Sequence, residues 1–323
     1  MIKLLLTDAH LFTGEQLEEI RAMGYDMDTV SDRAQLSPDA AQKYEAVMAY
    51  GLFKHTPLPY FTNLKMVHSV ATGVEAMPVA ELAARGIPLY KGKDLYSIPM
   101  AEWVICKLLE ALKRAREMAC LQQAHIWRKR SWAFTDGALE ELYGKSVLIV
   151  GAGDIGRALA SMLRAFEVAE IAGVNTTGRQ VAEFDRCVRF DALDCELPKA
   201  DIVVITCPLT EATYHLFDAK RLDLIREDGI LVNVSRGKLI DEGALVEKLT
   251  AGGLAWFISD VFETEPLPKE SPLWEMENVL ITPHNSFITY MRPIRMSAFL
   301  LKNLAAYAKG EPLEGPVDYQ KGY

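Results

Sequence analysis

Val147-Leu148-Ile149-Val150-Gly151-Ala152-Gly153-Asp154-Ile155-Gly156 is the stretch whose reading decides the fold. Four apolar residues in a row predict a strand buried on both faces, as in a parallel sheet. The glycine pattern follows at once and opens a segment rich in Ala, Leu, Met and Arg, which predicts a helix over 155–166. Gly151 permits a tight turn, Gly153 lets the backbone approach a pyrophosphate, and Gly156 lets helix and strand pack closely. Asp154 and Ile155 fall at the helix N-terminus, where free N–H groups and the positive end of the dipole attract phosphate. Glycines also serve such turns for conformational reasons alone. Strand, G-x-G-x-x-G and helix in direct succession nevertheless predict dinucleotide binding.

The next strand ends in Asn175-Thr176-Thr177-Gly178-Arg179. A site selective for NAD carries an acid there, about 20 residues on from the glycines, to bind the adenosine ribose. No carboxylate is present. A neutral amide, two hydroxyls and the nearby Arg179 can accept a 2′-phosphate that an acid would repel, so the sequence favours NADP(H) over NAD(H). Arg179 also has the reading of a solvated loop residue.

Apolar runs alternate with helical patterns through most of the chain. Strands are predicted at 2–6, 46–49, 66–70 and 87–90, with helices at 15–23 and 79–85, and a long helix over 100–124 behind Pro99, which suits a first turn. A second run has strands at 146–150, 170–174, 201–206, 229–234, 254–260 and 278–281, with helices at 155–166, 218–225 and 241–250. A final helix over 290–309 returns to the first domain. The predicted class is α/β with two doubly wound domains: a Rossmann cofactor domain (99–288) inserted into a flavodoxin-like substrate domain (1–98 and 289–323). The cleft between two such domains is the expected ligand site.

Composition narrows the function. The 323 residues are half apolar and carry a formal charge of −9, with a mean hydropathy of +0.04. An acidic balance argues against nucleic acid as a partner, and the one dense basic run, Arg128-Lys129-Arg130, reads as a solvated helix face. No stretch approaches the roughly 18–20 apolar residues of a membrane span. The opening Met1-Ile2-Lys3-Leu4-Leu5-Leu6-Thr7-Asp8 reads as a first strand, too short for a signal segment. A cytoplasmic protein with no membrane partner is the expectation. Five scattered cysteines without a CxxC pair and six histidines without ligand spacing point to reduced thiols and no metal site.

Three further segments bear on the chemistry: Val232-Asn233-Val234-Ser235-Arg236-Gly237, Asp260-Val261-Phe262-Glu263-Thr264-Glu265-Pro266 and Thr282-Pro283-His284. Each follows a predicted strand, and so stands with the glycine turn at the carboxyl edge of the sheet, where open α/β sheets bind ligands. Together they resemble the D-isomer-specific 2-hydroxyacid dehydrogenase family, which includes phosphoglycerate dehydrogenase and glyoxylate/hydroxypyruvate reductases, over nearly the whole chain. The resemblance implies NAD(P)H-dependent reduction of a small 2-oxo acid to a D-2-hydroxy acid, and the reverse. That reaction needs a hydride, a proton for the forming alkoxide, and a cation for the carboxylate and carbonyl. By the resemblance Arg236 supplies the cation as a planar fork that Lys cannot imitate. His284 is then the general acid in reduction and base in oxidation, and Glu265 bonds its ring, fixing the tautomer and favouring the imidazolium. Asp260 is implied beside the nicotinamide, with Cys207 and Pro208 along its ribose. Singly, each has a plain reading: a strand-end cap for Arg236, a core histidine for His284, a surface charge for Glu265, a turn acid for Asp260.

In the first domain, Ala71-Thr72-Gly73-Val74-Glu75 resembles the family loop whose N–H groups bind the substrate carboxylate, with Thr72 and Gly73 at the contacts. Glu75 replaces the usual Asp, and Asn285-Ser286-Phe287 replaces the usual small, glycine-containing stretch, so that Phe287 is expected to reshape the pocket wall. Tyr50, Leu52, Phe53 and Lys54 are candidates for substrate side-chain contact, equally readable as core or surface. Trp127-Arg128-Lys129-Arg130-Ser131-Trp132 falls in the segment that in the family reaches a second subunit, which implies a homodimer. Formate dehydrogenase shares the fold but lacks the Glu265/His284 arrangement. The family also holds NADH-responsive corepressors with similar site residues, so an NAD(H)-sensing regulatory protein stays open as the alternative.

Overall fold

The computed structural model describes residues 1–127 and 139–319, so Arg128-Lys129-Arg130 and Ser131-Trp132 lie outside the described residues. The chain divides into two compact units, Met1–Leu95 with Thr289–Tyr323, and Tyr96–Ile288. No described helix is long and apolar enough to cross a membrane.

The first unit is built from β1 (Ile2–Leu6), α1 (Gly14–Ala22), β2 (Tyr25–Thr29), α2 (Pro38–Ala41), β3 (Ala46–Ala49), β4 (Met66–Ser69), α3 (Val79–Ala84) and β5 (Leu89–Tyr90). Its strands are parallel and ordered β2-β1-β3-β4-β5, the flavodoxin-like order. Leu4, Leu5, Leu6 and the whole of β3 have no exposed surface, which is why the central strands read as unbroken apolar runs. A capping box between Thr13 and Gln16 starts α1. β2, which the sequence pattern does not announce, is an edge strand whose Asp26 and Asp28 pair with Lys3 and Lys43. Charges on its open side hide the apolar alternation that would announce it.

The second unit continues with α4 (Ser97–Leu112), α5 (Ala115–Gln123), β6 (Ser146–Val150), α6 (Asp154–Leu163), β7 (Glu170–Asn175), β8 (Arg186–Arg189), α7 (Leu193–Glu196), β9 (Ile202–Ile205), α8 (Ala219–Leu224), β10 (Ile230–Asn233), α9 (Glu242–Thr250), β11 (Trp256–Ser259) and β12 (Val279–Ile281). α10 (Arg292–Lys309) belongs to the first unit and ends on Gly310 at φ +70°, a left-handed cap. The long helix expected over 100–124 is two helices, because Arg114 takes φ +50° and interrupts the hydrogen-bond ladder between them. Pro99 falls within the first turn of α4, where its missing N–H costs nothing.

The seven strands lie in the order β12-β11-β10-β9-β6-β7-β8 and are parallel throughout. Leu148 and Val150 pack into one apolar cluster and Val147 and Ile149 into another, so β6 is covered on both faces. Strand order reverses between β6 and β9, and the glycine turn leaves the sheet at that point.

His68 on β4 has no exposed surface. Its Nδ1 donates to Ser69 O at 2.8 Å and its Nε2 accepts from Asn303 Nδ2 of α10 at 2.9 Å, an arrangement that needs the neutral ring. Burial pushes the imidazole down from 6.5 to about 4. The unfolded chain therefore binds the extra proton, and stability complete above pH 6.5 is lost as the pH falls toward 4. Urea unfolding at pH 5 is expected to show roughly 2 kcal/mol less stability than at pH 7 from this group, and His68→Gln to flatten that dependence.

Candidate active site

The loops that leave β6, β9, β10, β11 and β12 line the carboxyl edge of the seven-stranded sheet, and each is fastened to its neighbour. At β6, Gly151 takes φ +120°, and a Cβ on it would lie 2.5 Å from the Cys207 nitrogen. A Cβ on Gly156 would lie 2.2 Å from Gly151 O. Both glycines are demanded by backbone approaching backbone. Thr206 Oγ1 donates to Gly151 O at 2.7 Å and ties the turn to the exit of β9. At Gly153 nothing lies within 4 Å of where a Cβ would stand. Arg157 N–H to Gly153 O, at 2.9 Å, closes the first turn of α6, leaving the amides ahead of it without partners in the helix. An open glycine, free amides and a helix N-terminus converge here, and they fit a dinucleotide pyrophosphate. Asp154 and Ile155 contribute those amides as the first residues of α6.

Beyond β7, Asn175 orders its loop. Its Nδ2 donates to Arg179 O at 2.9 Å, and its Oδ1 accepts the Thr177 N–H at 3.1 Å and Thr177 Oγ1 at 3.2 Å. Thr176, Thr177 and Arg179 are exposed. The amide and the Thr177 hydroxyl, which also accepts the Arg179 N–H at 3.3 Å, are thus spent on the loop, and Thr176 and the Arg179 side chain are the groups left facing outward.

The Cys207 side chain is 2% exposed, and burial pushes the thiol up to about 12, so only the residue's backbone borders the turn. Its carbonyl accepts Ser235 Oγ at 2.5 Å, which fastens the β9 exit to that of β10. Pro208 is exposed beside it.

At β10, Asn233 is 1% exposed; its Oδ1 accepts the Ser235 N–H at 3.1 Å and its Nδ2 donates to Arg236 O at 3.0 Å. That side chain holds the turn on which Arg236 stands outside. One guanidinium nitrogen, Nη1, donates to Ser235 O at 2.7 Å; the rest of the fork has no partner among the described residues. Gly237 comes next, and a Cβ there would lie 1.8 Å from the Phe262 carbonyl carbon. The Arg236 turn therefore rests directly on the backbone leaving β11. Glu242 and Glu263 reinforce this junction, each accepting the other's N–H at 3.2 Å. Burial of Glu242, with the nearby Glu263 charge, raises its carboxyl above the usual range.

The β11 and β12 exits bring His284 and Glu265 together. His284 Nδ1 lies 2.6 Å from Glu265 Oε2, while Glu265 Oε1 accepts the Phe262 N–H at 3.0 Å. Both side chains are about a third exposed or more, at 40% and 35%. His284 takes φ +51°, unusual for a residue with a side chain, and its N–H donates to Asp260 O at 2.9 Å. Asp260, expected beside a nicotinamide, is 1% exposed. Its Oδ1 accepts Thr282 Oγ1 at 2.5 Å and the Asn285 N–H at 3.0 Å, and its Oδ2 accepts the Ser286 N–H at 2.8 Å. The carboxylate is turned into the His284 loop and shapes it. Phe287 packs edge-on to the His284 ring with centroids 5.8 Å apart, and edge-on to Tyr96 at 5.5 Å. It braces the histidine.

Thr206, Asn233, Ser235 and Thr282, which no sequence motif singles out, hold these loops. Their only signal was a polar residue at or just past the end of an apolar strand. In the first unit, Ser69 Oγ donates to Gly73 O at 3.0 Å and accepts the Ala71 N–H at 3.2 Å, ordering the Thr72–Gly73 loop beyond β4. A Cβ on Gly73 would lie 2.1 Å from Glu75 Oε2, so the longer acid folds back over this loop. Leu52 has no exposed surface and belongs to the core, and Phe53 packs on Phe61 at 5.5 Å. Of the four side-chain candidates, Tyr50 and Lys54 are exposed.

Residues 105–286 match the family model described as the NAD binding domain of D-isomer specific 2-hydroxyacid dehydrogenase. The chain is 32% identical over 251 residues to a glyoxylate reductase of Pyrococcus horikoshii, covering 77% of this chain and 75% of that one. Its structure is similar to that of a D-isomer specific 2-hydroxyacid dehydrogenase family protein from Aeromonas salmonicida, with TM-score 0.78 and 29% identity over 98% of this chain and 99% of that one. A D-isomer specific 2-hydroxyacid dehydrogenase from Xanthobacter autotrophicus, solved in complex with NADPH and MES, aligns with TM-score 0.76 and 28% identity over 99% of both chains.

Gly237→Ala tests the junction between the Arg236 and Glu265 loops. Its methyl meets backbone that cannot rotate away, and the variant is expected to lose at least about 1–3 kcal/mol in urea unfolding, the usual cost of overpacking. Stability equal to the parent would show that the two loops are not in contact there.

Proposed function

We propose that this chain, which belongs to the D-isomer-specific 2-hydroxyacid dehydrogenase family and is an NAD(P)-dependent oxidoreductase, reduces a small 2-oxo acid to its D-2-hydroxy acid. The observation that carries the reading is the 2.6 Å contact between His284 and Glu265, on the sheet edge that also holds Arg236 and the open glycine turn. The stereochemistry follows from family membership.

Bound at the glycine turn, a nicotinamide cofactor supplies the hydride. Arg236 binds the substrate carboxylate and polarises its carbonyl with the part of the guanidinium that Ser235 O leaves free. His284 Nε2 has no partner among the described residues and hands its proton to the forming alkoxide oxygen; in oxidation the same nitrogen takes the proton back. Glu265 accepts from Nδ1, which keeps Nε2 directed outward and offsets the positive ring while it carries both protons. Asp260 acts through the loop it holds. The Thr72 and Gly73 amides, in the loop that Ser69 orders beyond β4, are assigned to the substrate carboxylate.

The preferred cofactor is NADP(H). The β7 exit has no acid, and Thr176 and Arg179 face outward there to meet a 2′-phosphate. We further infer a homodimer, since no residue of α5 is buried and Ile126 and Trp127 beyond it are 54% and 97% exposed. The free cysteines suit the reducing cytoplasm.

Glyoxylate, hydroxypyruvate, pyruvate and bulkier 2-oxo acids, each with NADPH and NADH, form the direct test. NADPH binding without turnover of any of them would refute the reductase reading and favour a nucleotide sensor. His284→Ala is expected to lower kcat/KM by on the order of 10²- to 10⁴-fold while NADPH affinity is kept. Full activity in that variant would remove the proton-transfer role. Arg179→Ala is expected to raise KM for NADPH about tenfold and leave that for NADH nearly unchanged, the worth of one charge-assisted phosphate contact; equal effects on both cofactors would count against the 2′-phosphate assignment.

A further inference from the structure

The five-stranded sheet carries a clamp of its own at its carboxyl edge. Its strand order reverses between β1 and β3, so the crevice of this unit opens where those two strands end. Asp32, beyond the end of β2, reaches across the exit of β1 to that of β3. Its Oδ1 accepts the N–H of Tyr50 at 3.1 Å and of Leu52 at 3.1 Å, and its Oδ2 accepts the Gly51 N–H at 2.5 Å. Three successive amides converging on one anion form a concave binding site for negative charge. Here the chain fills it with its own carboxylate.

Two neighbours give the clamp a direction. A Cβ on Gly51 would lie 2.8 Å from Asp32 Oδ2, so glycine admits the carboxylate. Leu52 is anchored in the core with no exposed surface, while Tyr50 on the near side is 37% exposed. The clamp thus fixes where the buried part of the turn ends and where Tyr50 and the exposed Lys54 emerge. β3 pairs with β4, whose exit carries Thr72 and Gly73, so this turn adjoins the loop assigned to the substrate carboxylate.

We propose that Asp32 is a positioning residue for substrate selection: it sets the β3 exit so that Tyr50 and Lys54 meet the side chain of the 2-oxo acid, without touching the substrate itself. The assignment rests on the reductase reading above. It predicts that substrates with a side chain depend on Asp32 and that glyoxylate, which has none, does not share that dependence.

Steady-state kinetics with NADPH on glyoxylate, hydroxypyruvate and a longer 2-oxo acid test this in Asp32→Ala, Asp32→Asn and Gly51→Ala. Asp32→Ala is expected to raise KM for the two larger acids about tenfold relative to glyoxylate, the scale of discrimination a side-chain pocket supplies. kcat is expected to move by less than about threefold, as for loss of uniform binding. Asp32→Asn should recover part of the ratio, since its oxygen still accepts a hydrogen bond. Gly51→Ala, whose methyl displaces the carboxylate, should reproduce the shift, and adding Asp32→Ala to it should change the ratio no further. If Asp32→Ala does not fold, the Asn and Gly51 variants carry the test. Equal losses for glyoxylate and the larger acids, or an unchanged ratio in folded variants, would overturn the assignment and leave the reductase reading standing. A parent protein that reduces none of these acids would overturn the reductase reading and this assignment together.

Discussion

The close approach of Gly237 to the Phe262–Glu263 backbone, where a Cβ would lie 1.8 Å from a carbonyl carbon, sets the geometry of the whole carboxyl edge. It seats the turn that carries Arg236 on the segment that carries Glu265. On one side Ser235 bonds the β9 exit, and Thr206 bonds the glycine turn of β6 in its turn. On the other, Glu265 and Asp260 hold the loop beyond β12. Parallel strands about 4.8 Å apart present these loops in a row. The side-chain clamps and three tight glycines convert the row into a fixed site.

Two acids five residues apart in sequence have opposite fates. Asp260, 1% exposed, accepts three hydrogen bonds from the loop around His284. A buried carboxylate is tolerated only with such donors, and removing one would leave a charge without solvent. Glu265 stays about a third exposed and engages the imidazole. One carboxylate maintains a turn that places a non-glycine residue at φ +51°, and the other faces the ring which that turn presents. Position along the exit segment decides which acid does which.

The first unit repeats the device with other residues. Ser69 orders the loop bearing Thr72 and Gly73, and Asp32 orders the turn bearing Tyr50. In both units short polar side chains at or beyond strand ends satisfy backbone groups that the sheet leaves unpaired at its edge. The fold thereby gives each exit loop one conformation without adding secondary structure to it.

Resemblance to the family implied the candidate roles of Arg236, Glu265 and His284, and the sequence by itself determined the alternation of strands and helices and the glycine turn after β6. These were legible because central parallel strands are apolar on both faces and because turn glycines and ordered polar segments follow them directly. It missed β2 and β8, both sheet edges, where charged residues such as Asp26, Asp28 and Arg186 pair with neighbours and mask the strand pattern. It joined α4 to α5 because no glycine or proline marks Arg114, which takes φ +50° between them. Only the tertiary structure decided that Cys207 offers backbone alone, that Leu52 is core, that Phe287 braces His284, and that Asp260 faces the histidine loop. Local sequence specifies which groups a loop contains. Which of them turn inward depends on contacts between strand exits far apart in the chain, and those exist only once the sheet has formed.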